Sequence, residues 1–253
     1  MKKYGQFFTY INSAPAYTAG EQTIDGTGVY SADEWHESRK VNDNLFSHPS
    51  DRNFRQSFYK ESKKIISVSK LCEKFDFSNY KKLGDIGGAP FYQALVISDF
   101  YPNLEMLLTD YDYGSCELLK SVSYFSSIEL QPFDAKKDDY NIFNGCDLLT
   151  SWGVDYALSD EDILKLFNYI KVENKTLLIA SFDVDTNIIR FVTKSLIKSA
   201  MNLMIKKRLI NRRVHGVLRN AKYFSELSKI AEVAIETIQI DSPILYRIYK
   251  VTP

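Results

Sequence analysis

Asp85, Gly87, Gly88 and Asp110 are the residues whose types and spacing could act together chemically. They fall in one stretch, Lys81 to Asp112, which reads KKLGDIGGAPFYQALVISDFYPNLEMLLTDYD. A short run ends on Asp85 and the glycine pair follows. Phe91 to Phe100 has helical character, and an apolar run from Leu104 to Leu108 closes on Asp110. This pattern reads as strand, tight turn, helix, strand, with an acid at the carboxyl end of each strand. In a parallel sheet those ends line one edge, and cofactors bind in crevices outside that edge. Glycine lets the backbone turn tightly and approach a ligand closely. An acid about twenty residues past such a turn is placed to accept hydrogen bonds from ribose hydroxyls.

The elements that must position these residues follow from the rest of the chain. Arg52 to Phe75 carries Phe54, Phe58, Ile65, Ile66, Val68 and Leu71 at the spacing of one or two amphipathic helices. Ser31, with Glu34 three residues on, has the spacing of a capping box, so a helix could open near Tyr30–His36. Beyond the central stretch, a short helix is expected over Ser115–Ser121 and a strand over Ser127–Leu130. Tyr140 to Gly145 reads as another short apolar strand, with a helix starting at Asp147. Ser159 opens a helix whose acids, Asp160, Glu161 and Asp162, suit the first turn. Lys175–Phe182 reads as a buried strand. This alternation implies parallel strands with right-handed crossovers. Val233–Ile240 and Leu245–Val251 are both β-rich, and the four residues between them cannot make a parallel crossover. They must be antiparallel neighbours.

Composition narrows the class. The chain has 253 residues, with 32 basic against 32 acidic side chains, so nothing in its net charge draws it to nucleic acid or a membrane surface. The 17 Tyr and 16 Phe imply a dense aromatic core or an aromatic-lined pocket. Cys72, Cys116 and Cys146 show no metal-ligand spacing, and a reduced, cytoplasmic setting is expected. No metal site, signal peptide or membrane span is expected. One basic cluster, Lys206, Lys207, Arg208, Arg212, Arg213, Arg219 and Lys222, reads as a solvated helix face or as a site for an anionic acceptor.

DIGGAPFYQALVISDFYPNLEMLLTDYD resembles the D-x-G-G-G-x-G…YP…D segment of class I S-adenosylmethionine-dependent methyltransferases, in their small-molecule O-methyltransferase branch. Ala89 and Phe91 stand where that family has glycines. The resemblance covers Lys81 to Pro253. It implies a Rossmann-like α/β fold: a mostly parallel seven-stranded sheet with an antiparallel C-terminal hairpin and helices on both faces. Residues 81–253 would form the S-adenosylmethionine-binding domain, and residues 1–80 a helical lid that shapes the acceptor pocket or, alternatively, an appendage for a homodimer. Carried across, Asp85, Gly87, Gly88 and Ala89 would hold the methionine and ribose end of the cofactor. Asp110 and Tyr111 would hold the ribose, and Asp134 and Ala135 the adenine. Asn144, Gly145 and Asp147 would form the loop facing the methyl group, with Asn141 in place of the usual acid.

The implied activity is methyl transfer to a hydroxyl of a small molecule or sugar, an anionic acceptor being one candidate. The family's histidine after the fourth strand is absent from CDLLTSWGVDY. The catalytic candidates are therefore His215, His36 and Asp147, unless the acceptor needs no base; His48 reads as loop, and Trp35, Trp152 and Arg219 would lie near the acceptor. Nitrogen or carbon acceptors, a fold without catalysis that binds a partner, and a nicotinamide oxidoreductase are the alternatives. The absent G-x-G-x-x-G and the terminal hairpin argue against the last.

Overall fold

The computed structural model describes residues 9–10, 36–37, 39–40, 43–182, 216–217, 219, 221–241 and 246–253. His215, Trp35, Ser31, Glu34 and most of the basic cluster lie outside them. Seven strands form the main sheet: β1 Lys82–Ile86, β2 Glu105–Asp110, β3 Glu129–Pro132, β4 Leu148–Trp152, β5 Thr176–Phe182, β6 Ala234–Ile238 and β7 Tyr246–Thr252. Their spatial order is β3-β2-β1-β4-β5-β7-β6. β7 runs antiparallel to both β5 and β6, while β1 to β5 pair in parallel. Thr9–Tyr10 and Gly216–Val217 form a separate two-stranded ladder.

Six helices matter here: α1 Asp51–Lys60, α2 Ser62–Cys72, α3 Tyr92–Phe100, α4 Tyr113–Leu119, α5 Asp160–Val172 and α6 Ala221–Ala231. Alternate residues of each strand feed two cores. Leu83, Leu108, Leu148, Leu178 and Ile248 pack under α1 to α4. Leu107, Leu149, Leu177, Ile179 and Tyr249 pack under α5 and α6. This is the period-two pattern of a sheet covered on both faces. α3 buries Tyr92 to Ile97 without a break because the sheet lies on one side of it and α1 and α2 on the other. Residues 43–75 of the N-terminal extension therefore share a core with the sheet. α5 opens with a full capping box, in which Ser159 and Asp162 bond each other's backbone amides.

One expected pair of elements is corrected. Tyr140–Phe143 is a 3-10 turn, not a strand, and Leu148–Trp152 is a strand, not a helix start. Tyr140 and Phe143 are both buried, since residues three apart eclipse in a 3-10 turn. β4 lies between β1 and β5 with both faces covered, so its sequence shows no alternation. The three cysteines are buried free thiols. Burial pushes Cys72 and Cys116 up to about 12 and Cys146 to about 11, which leaves them unreactive.

Candidate functional site

The carboxyl ends of β1, β2, β3 and β4 meet at one edge of the sheet, beside the turn between β1 and α3. Asp85 is wholly buried within β1. The Thr150 hydroxyl on β4 donates to its Oδ1 at 2.6 Å, while Oδ2 has no hydrogen-bond partner. Burial pushes this carboxyl up to about 7, with the Thr150 bond and the Trp152 indole opposing and the charge of Asp110 adding. The turn is glycine by necessity. A Cβ on Gly88 would lie 1.8 Å from Asp85 Oδ2, and Gly87, at φ +69°, would drive a Cβ to 2.8 Å from Val154. The amides of Gly87 and Gly88 both donate to the Thr109 carbonyl, at 2.8 and 3.3 Å, which pins the turn to β2.

Phe91 occupies the glycine position of the pattern and adopts a left-handed φ of 64° at the N-terminus of α3. Its ring is fully buried and meets Phe125 edge-on at 6.1 Å. The ring thus packs into the core, with its Cδ1 edge against the turn, where a Cβ on Gly88 would meet it at 3.2 Å. The preceding Ala89–Pro90 bond is cis.

Asp110 closes β2 and is almost fully buried. Its Oδ2 accepts from the Ala89 amide at 3.1 Å and its Oδ1 from the Asp112 amide at 3.0 Å. Two residues of the N-terminal extension complete the cluster. Arg39 donates to both Asp110 oxygens and to Asp112, each at 3.1 Å, and His36 Nδ1 lies 3.0 Å from Asp112. Burial alone would lower the Arg39 pKa, but the charge and hydrogen bonds of Asp110, with the charge of Asp112, outweigh it and hold it above its ordinary value. Asp112 also caps α4, accepting from the Ser115 amide at 2.9 Å. Tyr111 sits half-buried between the two acids.

At the end of β3, the Phe133 amide donates to the Asp110 carbonyl at 2.9 Å, bringing Asp134 and buried Ala135 to the same edge. Asp134 is partly exposed, accepts from the Lys136 amide and pairs with Lys137 at 3.1 Å. β4 delivers Trp152, whose buried indole N–H lies beside the Asp85 carboxyl and favours its charged form, although neither the indole N–H nor Asp85 Oδ2 makes a well-formed hydrogen bond. Gly153 then turns at φ +67° and Val154 lies over Gly87.

Other expected site residues lie elsewhere. Asn144, Gly145 and Asp147 precede β4, at the amino-terminal edge. Asp147 accepts there from the Lys81 and Lys82 amides at 2.9 and 3.0 Å. Four strand residues at about 3.3 Å each place it about 13 Å from the crevice, so it cannot face a ligand bound there. The Asn144 carbonyl accepts from buried Lys175 at 2.9 Å. The segment that leaves the fourth strand toward the crevice is Gly153–Asp155, one element later than the sequence pattern had suggested. Arg219 is buried and spent on structure. It donates to Asp160 at 2.9 Å and to the carbonyls of Asp155 and Leu158 at 2.6 and 2.8 Å, bracing the link from β4 to α5. Sequence reasoning missed Arg39, Asp112 and Thr150. Asp112 carried a signal, as an aspartate one residue before a helix. Arg39, 71 residues from its partner Asp110, carried none.

A cavity of about 550 Å³ opens at the opposite edge, among Phe54, Phe58, Tyr124, Leu95 and Met106, and borders neither Asp85 nor Asp110. Among the described residues no group of three or more acids, histidines or cysteines could hold a metal. No described helix is long and apolar enough to cross a membrane.

The comparisons agree with this geometry at the level of fold. The mitomycin 7-O-methyltransferase MmcR is similar over 86% of this chain and 60% of its own, at 16% identity and a TM-score of 0.60. Human N-acetylserotonin methyltransferase, solved in complex with SAM, is similar over 82% of this chain and 58% of its own, at 16% identity and a TM-score of 0.58. PigF, solved with SAH, is similar over 80% of this chain and 58% of its own, at 13% identity and a TM-score of 0.58. The chain thus spans about three-fifths of the length of these structures. At such identities the likeness establishes a Rossmann-like methyltransferase fold. No protein-family model and no curated protein matches the chain.

Proposed function

We propose that this protein binds S-adenosylmethionine and transfers its methyl group to a hydroxyl of a small molecule or sugar. One observation carries the reading. A buried acid, Asp110, ends the strand beside a two-glycine turn, at the carboxyl edge of a sheet whose fold is similar to that of methyltransferases solved with this cofactor or its product. Asp110 accepts the ribose hydroxyls, with Tyr111 beside it. Asp134 and Ala135 take the adenine edge. Gly87, Gly88 and Ala89 let the backbone approach the cofactor, and Asp85 Oδ2, a buried oxygen without a partner, suits the methionine ammonium. Gly153–Asp155 and Trp152 face the methyl group, where an aromatic face stabilises the sulfonium charge.

The reaction is an in-line displacement. A lone pair of the acceptor oxygen attacks the methyl carbon, the carbon–sulfur bond breaks, and sulfur leaves with the electron pair as the neutral thioether. The hydroxyl proton passes to a base or to water. Alignment of acceptor, methyl and sulfur supplies most of the rate, since orientation is worth about 7–11 kcal/mol. The described histidines do not sit where a base is needed. His36 is held by Asp112, and His48 Nδ1 lies 3.1 Å from the Ser47 hydroxyl on an exposed turn. His215 remains the proposed base. A second reading, the same fold without turnover, draws on Arg39 lying across Asp110.

One assay separates the two. Purified protein is incubated with S-adenosylmethionine and a panel of phenolic, sugar and nucleotide-sugar acceptors, and S-adenosylhomocysteine is quantified by mass spectrometry. Acceptor-dependent product that disappears in Asp110→Asn supports transfer. Cofactor binding without product on any acceptor supports the fold without turnover, and binding of NAD in place of S-adenosylmethionine overturns both.

A further inference from the structure

The carboxylate of Asp110 has no lone pair left for a ligand. Two oxygens offer about four acceptor directions, and all four are filled. Oδ1 accepts from Arg39 Nη1 at 3.1 Å and the Asp112 amide at 3.0 Å. Oδ2 accepts from Arg39 Nη2 and the Ala89 amide, both at 3.1 Å. The two amide donors belong to the turns that build the site. The other two come from one guanidinium in fork geometry, one N–H to each oxygen. A ribose presents the same pattern, since its vicinal 2′- and 3′-hydroxyls donate one hydrogen each to the two oxygens of an acid. Arg39 therefore stands in the place of the diol.

Arg39 also has somewhere to stay. Nη1 bonds Asp112 at 3.1 Å, Nη2 bonds the Ala89 carbonyl at 3.3 Å, and the guanidinium lies 5.3 Å from the centre of the Phe46 ring. Its helical segment is seated independently of Asp110. His36 pairs with Asp112, and its ring fills the space over Gly114 so closely that a Cβ there would lie 2.6 Å from it.

We propose that Arg39, seated beside His36, is a built-in competitor of the cofactor. Arg39 fills the ribose position of the ligand-free protein. The cofactor enters only after Arg39 leaves Asp110, and Asp112 keeps the displaced guanidinium. The proposal rests on reading Asp110 as the ribose acid. Its consequence is a lowered apparent affinity, because a site open for a fraction of the time binds its ligand more weakly by that fraction. It also makes the binding rate level off at the rate of Arg39 release.

The test is binding of S-adenosylhomocysteine to wild type, Arg39→Gln, Gly114→Ala and Asp110→Asn, by stopped-flow fluorescence and equilibrium titration. Arg39→Gln is expected to bind about fivefold tighter or more, the gain for a site open about one-fifth of the time. Its observed rate rises linearly with ligand where that of wild type saturates. Gly114→Ala crowds His36 off α4 without touching Asp110, and alanine favours the helix, so it gives a smaller tightening even where Arg39→Gln folds poorly. Equal or weaker binding by both variants, with a linear rate in wild type and loss of binding in Asp110→Asn, overturns the competitor and leaves the cofactor site standing. No binding by any folded variant overturns the competitor together with the reading of the site.

Discussion

Replacing Asp85 with asparagine should shift the pH dependence of stability by a readable amount. Burial raises the folded carboxyl from 3.8 to about 7, while in the unfolded chain it ionises near its ordinary value. Below about pH 4 both states hold the proton and Asp85 carries no penalty. Between about pH 4 and 7 the unfolded chain releases the proton and the folded one keeps it, so folding loses about 1.4 kcal/mol for each pH unit. Above about pH 7 the full penalty remains. From 3.8 to about 7 it amounts to about 4 kcal/mol. Asparagine has the same shape, retains the acceptor for the Thr150 hydroxyl, and has no charge to bury. Its new amide, placed where Oδ2 lacks a partner, costs about 1–3 kcal/mol at every pH. Urea unfolding of both proteins at pH 4 and pH 8 cancels that constant. The variant should be less stable than wild type at pH 4 and more stable at pH 8, the difference moving by about 4 kcal/mol. A difference that does not change with pH would refute the buried, protonated carboxyl. A ligand ammonium beside Oδ2 would favour the ionised form and shrink the shift.

Phe91→Gly, which restores the family's glycine, should lower stability by about 2–4 kcal/mol without tightening cofactor binding. The lost ring costs about 3–5 kcal/mol, and relief of the left-handed backbone offsets only about 1 kcal/mol; tighter binding on titration would mean that the ring obstructs the site. Arg219→Met should cost about 3 kcal/mol in urea unfolding because it strands Asp160 Oδ1 and two carbonyls, leaving Asp160 only the Tyr223 hydroxyl among the described residues, with cofactor affinity unchanged while the protein is folded. A loss confined to acceptor KM would instead make Arg219 a substrate residue. Asp147→Ala should lower stability by about 1–2 kcal/mol through two lost amide acceptors and leave kcat alone; a kcat loss at full folding would contradict its position at the far edge.

The sheet was legible because its strands carried distinct local signals. Asp85 and Asp110 each end an apolar run, and the four residues after Ile240 leave no room for a crossover. The fourth strand was misplaced for a physical reason. Leu148–Trp152 is buried on both faces and so has no alternation, while Tyr140–Phe143 imitates a strand because a 3-10 turn also buries two apolar side chains. That shift carried Asn144, Gly145 and Asp147 to the wrong edge. Phe91 was legible as a departure but not in its outcome, since only the fold shows the core space near Phe125 that receives its ring. Arg39 was not legible at all. Its partners lie 71 and 73 residues away, and no periodicity or cap marks a side chain that acts only at long range.

The most direct test of the central claim is calorimetric titration with S-adenosylhomocysteine of wild type, Asp110→Asn and Arg39→Gln, each checked for folding by thermal melt. Micromolar binding to wild type that Asp110→Asn weakens about tenfold or more, the scale of lost hydrogen bonds to a charged acceptor, is the predicted result. Absence of heat from both wild type and Arg39→Gln, in folded protein, would contradict it and leave a methyltransferase fold put to another use.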